Sequence, residues 1–193
     1  MITNSDQPPA FDRMDNAGML AIGLELGMAP PTAAELPEAR ALASTLMDHE
    51  VVGVSVLAAV LAIQPAATLV YREAGRITGV SGQLILTARA WAPLRAGNFD
   101  ALIVDPDLLA REGERVALGY GWGVAASTKP AGYAVNNAGR LMRERLFPHM
   151  TVFTRAVTAI GRHVCLTRYG YQPMRHEGDD LMISPPLKQM ALA

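Results

Sequence analysis

The residues best placed to do chemistry lie at a junction in the second half of the chain. An apolar, aromatic run, ALGYGWG, leads into VAASTKPAGYAVNNAGRLMRERL, which changes from strand-like to helical sequence at Lys129-Pro130-Ala131-Gly132. The first N–H groups of a helix have no partner within it and lie at the positive end of its dipole, so they attract phosphate oxygens. The junction therefore predicts a phosphate site, although an ordinary strand-to-helix connection shares these local features.

The individual residues of the junction fit a bound phosphate. Ala131 and Ala134 are small, and Lys129 adds a positive charge. Pro130 stiffens the start of the helix without removing a useful donor, and Gly132 has no side chain to hold a phosphate away from the backbone. Upstream, glycines alternate with aromatic residues, which is typical of a strand that carries a bend or bulge, and Gly123 suits the bulge.

The spacing of this segment resembles the coenzyme A signature of the GNAT superfamily of N-acyltransferases. Val124 is followed after four residues by Lys129, after two more by Gly132 and after one more by Ala134. Lys129 stands where the family pattern has Arg or Gln, so the match is degenerate.

The likeness continues outside the signature. Thr158–Met174 looks like the family's later helix leading into a Gly-Phe step, here Gly170-Tyr171, and a hairpin at Val70–Leu86 fits its early antiparallel strands. The resemblance implies an α/β (α+β) fold: a GNAT-like mixed, mostly antiparallel sheet flanked by helices, with a splayed pair of parallel strands. The expected organisation is a mobile N-terminal tail over 1–29, one acyltransferase domain over 30–185 and a C-terminal tail over 186–193.

The resemblance also implies where a cofactor would bind. Acetyl-CoA or another acyl-CoA would lie in the gap between the splayed strands, with its pantetheine arm on the backbone of Val124 and Ala126. Its diphosphate would lie on the loop and helix start, formed by Lys129, Pro130, Ala131, Gly132, Tyr133 and Ala134. The expected activity is transfer of an acyl group, acetyl in the first instance, to the amine of a small molecule or peptide. Two alternatives stay open: a catalytically silent CoA-binding member of the fold, and a structural or interaction domain.

A general acid for the departing thiolate is not evident. Many family members carry a tyrosine four residues before the glycine of the Gly-Phe step, and that position is Leu166 here. Tyr169 is close in sequence but about 300° further round a helix, at 100° per residue. Cys165 adjoins the vacant position and is a candidate acid, although a lone helical cysteine is more often a small core residue.

Candidates for the base and the acceptor pocket precede the signature. Glu114, with Glu112, lies before the central strand and could act through water, or could belong to an exposed turn. Tyr120 and Trp122 alternate along the strand and could line an acceptor pocket, or pack in the core. His149 is a further candidate base, with a capping or surface role as the alternative.

Four charged residues of the predicted helix are most simply its solvated face: Arg140, Arg143, Glu144 and Arg145. Alternatively, Arg140 or Arg143 could touch the cofactor's ribose phosphate.

Composition limits the remaining classes of function. Half of the 193 residues are hydrophobic, 18% are charged and the net charge is -1, so one domain with a full core is expected and no basic field draws in nucleic acid. The single cysteine, Cys165, excludes an internal disulfide and favours a cytoplasmic setting. The apolar run Val51–Ile63 is shorter than the about 20 residues that a membrane span needs. No metal site is expected, and ten methionines are compatible with a homodimer interface or a soft core.

The pattern along the chain predicts the elements that must position the junction. Capping and apolar periodicity predict helices over Pro30–Glu50 and Val51–Ile63, and the β-rich runs around EAGR predict a hairpin. Later elements alternate: a short strand-like run in DALIVDP, a strand over Arg115–Ser127, a helix over Gly132–Leu146, a strand in HMTVFTRAV, a helix in TAIGRHVCLTRYG, and a last strand or hairpin in YQPMRHEGDDLMIS.

Overall fold

A seven-stranded sheet forms the centre of the structure. The computed structural model describes residues 11–47, 49–174 and 180–187. The strands are β1 (Asp12–Arg13), β2 (Met28–Ala29), β3 (Thr68–Glu73), β4 (Arg76–Leu86), β5 (Arg115–Val116), β6 (Leu118–Ala126), β7 (Thr151–Arg155), β8 (Gln172–Pro173) and β9 (Leu181–Ser184). The main sheet has the order β2-β3-β4-β6-β7-β9-β8, and β1 pairs with β5 separately.

Helices cover both faces of this sheet. They are α1 (Asn16–Glu25), α2 (Leu36–Met47), α3 (Val54–Ile63), α4 (Trp91–Arg95), α5 (Lys129–Arg145) and α6 (Ala159–Arg168). One apolar core lies between the sheet and α1 and α5, and another lies on the opposite face under α3 and α4. Because β4 is covered on both faces, it reads as a nearly continuous buried strand from Val80 to Leu86.

The early antiparallel strands form as predicted. β3 and β4 pair in a hairpin whose turn residues, Ala74 and Gly75, have φ values of 49° and 77°. Two consecutive positive φ angles give the turn a twist that matches the twist of the strands. Before β3 begins, buried Gln64 continues the pairing of β4: its side chain donates to the carbonyl of Ile85 at 2.6 Å and accepts from the Ile85 amide at 3.1 Å.

Small residues let α5 pack closely on β4. Its buried residues recur at helical spacing and form one apolar stripe: Ala131, Ala134, Val135, Ala138 and Met142. A Cβ atom placed on Gly79 of β4 would lie 2.9 Å from the Cβ of Ala131. The alanines of the predicted phosphate junction therefore have a packing role.

One pair of neighbouring strands is parallel. β6 pairs with β7 from Leu118↔Thr151 to Gly121↔Thr154, whereas every other pairing in the sheet is antiparallel among the described residues. β6 continues to Ala126 beyond the last of these pairs. The predicted fold class, a mixed and mostly antiparallel sheet with a splayed parallel pair, is confirmed.

Two stretches of the chain and one helix start differ from the sequence-based expectation. Residues 12–29, expected in a mobile tail, form β1, α1 and β2, and they bury Met14, Met19 and Met28 in the core. The apolar run at Ala101–Val104 forms no strand; the indole Nε1 of Trp122 instead donates to the Ala101 carbonyl at 2.7 Å. Of the expected C-terminal tail, 186 and 187 are described, and the rest lies outside the described residues.

The third difference concerns the start of α5, which begins at Lys129 rather than Gly132. Thr128 caps it, because its hydroxyl oxygen accepts a hydrogen bond from the amide of Ala131 at 3.3 Å. The prediction overlooked this threonine as a helix cap.

A charged cluster joins the residues before α2 to β3. Arg72 donates from Nε and Nη2 to the two carboxylate oxygens of Glu35, each at 2.7 Å, and the amide of Thr32 donates to the same carboxylate at 2.7 Å. The bond from Arg72, followed by those from Thr32, lowers the pKa of Glu35 from 4.5 to about 2. The folded state thus favours the ionised carboxylate.

This shift predicts a pH-dependent contribution to stability. Because the folded-state pKa of Glu35 is the lower one, its contribution is fully present above about pH 4.5 and is lost as the pH falls towards about 2. We expect the stability difference between the wild type and Glu35→Gln, measured by urea denaturation, to be constant at neutral pH and to shrink steadily through that window. A difference that does not change with pH would contradict this assignment.

Candidate active site at the divergence of β6 and β7

The parallel pair opens at Gly121 and Thr154. The Thr154 hydroxyl donates to the Gly121 carbonyl at 3.0 Å, at the last paired position of the two strands. Beyond it, β7 keeps its partner β9, and no described strand pairs with the outer edge of β6. Backbone groups of residues 122–126 that point away from β4 therefore face an opening.

A β-bulge in β6 lies at the start of this opening. Gly82 of β4 pairs with Gly123, but the next residue, Gln83, pairs with Gly121, so Trp122 is the extra residue. A bulge bends a strand and increases its local twist, which turns β6 away from β7. The predicted bulge is confirmed, next to Gly123.

A cavity of about 250 Å³ lies over the opening, between the sheet, α5 and the end of α6. Gly121 contributes no side chain to its floor, and Val124 and Thr154 lie at its base. The upper wall carries polar groups, among them Asn136, Arg143, Cys165 and Tyr169. A larger pocket of about 340 Å³ lies elsewhere, around Arg89 and Arg115, and is lined mainly by charged side chains. The smaller cavity is the better candidate because it adjoins unpaired strand backbone.

The start of α5 offers fewer amide donors than the sequence predicted. The Ser127 amide donates to the Thr78 carbonyl at 2.9 Å, and the Gly132 amide donates to the Thr128 carbonyl at 2.9 Å within the helix. The Ala131 amide donates to the hydroxyl of Thr128, which caps the helix, and Pro130 has no N–H to offer. The amides of Thr128 and Lys129 are left as the ones that could meet a phosphate, so the Gly132 amide is not among the available donors.

A carboxylate already lies at this helix end. The Thr128 hydroxyl donates to the Glu73 carboxylate at 2.6 Å, and this bond lowers the pKa of Glu73. Glu73 is therefore an anion at neutral pH, at the positive end of the α5 dipole, where a diphosphate would also be drawn. The two anions would repel each other.

The predicted cofactor residues divide into an accessible group and a buried group. Val124 is 49% exposed on the open part of β6, and Tyr133 is 68% exposed on α5. Ala126, Lys129, Pro130 and Gly132 are likewise exposed or half-buried. Ala131 and Ala134 are buried in the core, so their side chains are not available to a ligand as predicted.

The three candidate catalytic residues are not brought together. Cys165 lines the cavity, whereas Glu114 lies in the other, charged pocket and accepts the Arg111 amide at 2.9 Å in an exposed turn. Tyr120 is 3% exposed in the core on the opposite face of the sheet, with its ring 4.9 Å from that of Phe99. The structure thus favours the turn for Glu114 and core packing for Tyr120.

The structure identifies cavity residues that the sequence analysis passed over. The hydroxyl of Tyr169 donates to the Asn136 carbonyl at 2.9 Å across the cavity, although the helical projection placed Tyr169 elsewhere. Tyr169 follows the last residue of α6, so the helical angle does not fix its direction. Tyr171 is partly buried, and desolvation raises its pKa. Arg143, expected on a solvated face, is 8% exposed. The sequence did contain a signal for these cavity residues, namely the spacing of four positions along one helix face: Asn136, Gly139, Arg140 and Arg143.

The histidines do not form a site with these residues. The Nδ1 atom of His149 lies 2.7 Å from Asp12 Oδ1, and its amide donates to the same carboxylate at 2.8 Å. His149 therefore connects the residues that precede β7 to Asp12 of β1. His176 lies outside the described residues. Across residues 11–47, 49–174 and 180–187, no three metal-ligating side chains are grouped and no helix has the length and hydropathy to cross a bilayer.

Comparison with known proteins finds likeness in structure. No protein-family model and no curated protein matches the sequence. The structure of "histone acetyltransferase HPA2 and related acetyltransferase" from Corynebacterium glutamicum matches 83% of this chain and 96% of its own, with 16% identity and a TM-score of 0.46. The structure of the GphF GNAT-like decarboxylase in complex with isobutyryl-CoA matches 66% of this chain and 64% of its own, with 16% identity and a TM-score of 0.43. At these values neither likeness says what this chain binds or does.

The reactivity of the Cys165 thiol can report whether the cavity encloses it. Burial raises the pKa of its thiol, and alkylation requires the thiolate. We expect iodoacetamide to modify Cys165, the single cysteine, several-fold more slowly at neutral pH than it modifies the same protein in denaturant. Any ligand that fills the cavity should slow the reaction further. A rate equal to that of the unfolded chain would show that the thiol is not enclosed.

Proposed function

We propose that this protein is an acyltransferase that binds an acyl-CoA thioester in the opening between β6 and β7 and transfers the acyl group to an amine. The observation that carries the proposal is the loss of pairing after Gly121, beside a bulge and under a cavity. An unpaired strand edge inside a fold is a template for another extended chain with amide groups. The pantetheine arm of CoA is such a chain.

The accessible predicted residues then have separate roles. The backbone of Val124 and Ala126 would bind the pantetheine amides, as a neighbouring strand would. The diphosphate would lie against the amides of Thr128 and Lys129 and the Lys129 ammonium group, since these donors have no other partner among the described residues. Such a site has fewer donors than the resemblance implies, and Glu73 opposes binding by its charge.

The chemistry needs a proton to leave the amine and a proton to reach the thiolate. An amine is mostly protonated at neutral pH, so it must lose a proton before it attacks the thioester carbonyl. Backbone amides at the bulge would stabilise the oxyanion. The C–S bond then breaks, and the thiolate takes a proton from an acid in the cavity. We assign removal of the amine proton to water, because Glu144 is the one carboxylate among the described cavity residues and Arg140 binds it at 2.7 and 2.9 Å.

Tyr169 is the residue that we propose as the acid. Burial raises its pKa, so the phenol is protonated at neutral pH, and its hydroxyl points across the cavity to the Asn136 carbonyl. It would replace the tyrosine that the GNAT resemblance places at the position of Leu166. Cys165, also protonated and also in the cavity, is the alternative acid.

A second candidate function is CoA binding without transfer. The absence of an unpaired carboxylate or a histidine among the described residues that line the cavity favours it. Both candidates predict binding of acyl-CoA, and only the first predicts release of free CoA in the presence of an amine. A structural domain would show neither.

The binding step can be tested by thermal melting and calorimetry with acetyl-CoA. We expect a rise in melting temperature that grows with ligand concentration. Glu73→Gln keeps an acceptor for Thr128 but removes the charge, so it should tighten binding several-fold, whereas Glu25→Gln, a carboxylate on the end of α1, serves as the charge-matched control. Gly132→Leu, which adds a side chain beside Ala126, should weaken binding. If acetyl-CoA and longer acyl-CoAs leave the melting temperature unchanged, the acyltransferase proposal fails.

The catalytic step is tested by thiol release with a panel of small amines and peptides. We expect Tyr169→Phe to lower kcat by about 10²-fold or more, with little change in the KM for acyl-CoA, because general acid catalysis typically contributes that much. Cys165→Ala is the matched control and should retain activity. The reverse result would assign the acid to Cys165. Binding without thiol release from any amine would favour the silent alternative.

A further inference from the structure

Arg143 is the most deeply buried cation in the cavity wall. It lies on the last turns of α5 and is 8% exposed, whereas Arg140 and Arg145 on the same helix are paired with carboxylates near the surface. A guanidinium group stays charged in proteins, so a positive charge lies inside the protein at this point. Burial lowers the pKa of Arg143, as expected for a cation removed from water.

The partners of Arg143 are neutral. Nη1 donates to the Ser184 hydroxyl at 2.8 Å, and Nη2 donates to the carbonyls of Ser184, at 3.5 Å, and of Pro185. Its Nε–H is buried and has no hydrogen-bond partner among the described residues, and no described carboxylate is within ion-pair distance of the group. Buried charges in proteins are normally paired.

The surroundings of Arg143 favour an anion. The cavity is also lined by Arg140 and Arg168, and its one described carboxylate, Glu144, is bound by Arg140. The neighbouring phenol of Tyr171 is neutral at physiological pH, because burial raises its pKa. The wall around Arg143 therefore has an excess of positive charge and an unused donor.

We infer that Arg143 binds a carboxylate of the substrate, carried either by the acyl group or by the amine that accepts it. The Nε–H of Arg143 has no partner among the described residues, and a hydrogen bond from a guanidinium to a carboxylate is charge-assisted and stronger than one between neutral groups. A cavity of about 250 Å³ suits a small organic acid, whereas the nucleotide part of CoA is much larger and would stay outside it. The inference rests on the proposed function for the identity of the substrate, but the anion site itself does not depend on it.

The test compares ligands that differ in one carboxylate, with the full chain. Succinyl-CoA is compared with butyryl-CoA for the acyl group, and alanine with alaninamide, in the presence of CoA, for the acceptor. We expect the carboxylated member of one pair to bind at least about tenfold more tightly, since hydrogen bonds to charged groups are typically worth that much. The pair that shows the preference identifies which substrate carries the carboxylate.

Variants of one helix locate the effect. Arg143→Met has a similar length without charge and should abolish the preference, Arg143→Lys should leave part of it, and Arg145→Met, on the surface of the same helix, should leave it intact. If Arg143→Met does not fold, the preference remaining in Arg143→Lys locates the effect, and equal binding of both members of each pair by the wild type would still overturn the inference. Equal binding within both pairs, or a preference that survives in folded Arg143→Met, would overturn the inference.

Two further experiments distinguish a carboxylate site at Arg143 from a site for a CoA phosphate, and from the proposed acyltransferase activity. Inorganic phosphate and 3′-dephospho-CoA test whether Arg143 serves a CoA phosphate: if Arg143→Met weakens CoA itself as much as the carboxylated ligands, the carboxylate assignment is wrong. Succinate alone tests the anion site without CoA. Binding of succinate by the wild type but not by Arg143→Met, with no binding of any acyl-CoA, would support the site and refute the acyltransferase. Binding of none of these anions would refute the site.

Discussion

The end of pairing between β6 and β7 is the constraint on which the proposed site depends. Two parallel strands joined through α5 would normally stay hydrogen-bonded along their length, since buried backbone groups need partners. Here the bulge at Trp122 bends β6, and the Thr154 hydroxyl donates a hydrogen bond to the Gly121 carbonyl at the point where the strands separate. The strand edge that remains can be satisfied by a ligand, so the same backbone groups that cost stability when unpaired supply the affinity when a chain with amides lies beside them.

Close packing of α5 places the other half of the site. Because Gly79 has no Cβ that would collide with Ala131, the helix packs closely on the sheet, and its start is held by Thr128 and Glu73. This arrangement stabilises the helix end with the protein's own groups, and it leaves fewer donors for a diphosphate. Affinity for the nucleotide end of a cofactor then depends more on Lys129, and the strand edge and the cavity must supply the rest.

The cavity differs in character from the helix start. Glu73 makes the helix start negative, whereas Arg143 makes the inner wall positive with an unpaired Nε–H. A buried cation with neutral partners costs stability unless an anion joins it. This polarity favours ligands whose charge lies deep in the cavity, and it links the choice of substrate to the packing of α5 against Ser184 at the end of the sheet.

The sequence by itself determined the elements whose signals are local: the β3–β4 hairpin around its turn, the glycine-rich bulged strand, and an amphipathic helix following it. It could not show that Gly132 lies inside the helix, because the cap at Thr128 competes with the glycine as a start signal, nor that Met14 and Met28 belong to the core, because burial depends on long-range pairing. Only the tertiary structure decided which polar residues meet. Tyr169 and Arg143 reach one cavity because helix ends and strand divergence, which arise from packing between distant segments, set their directions.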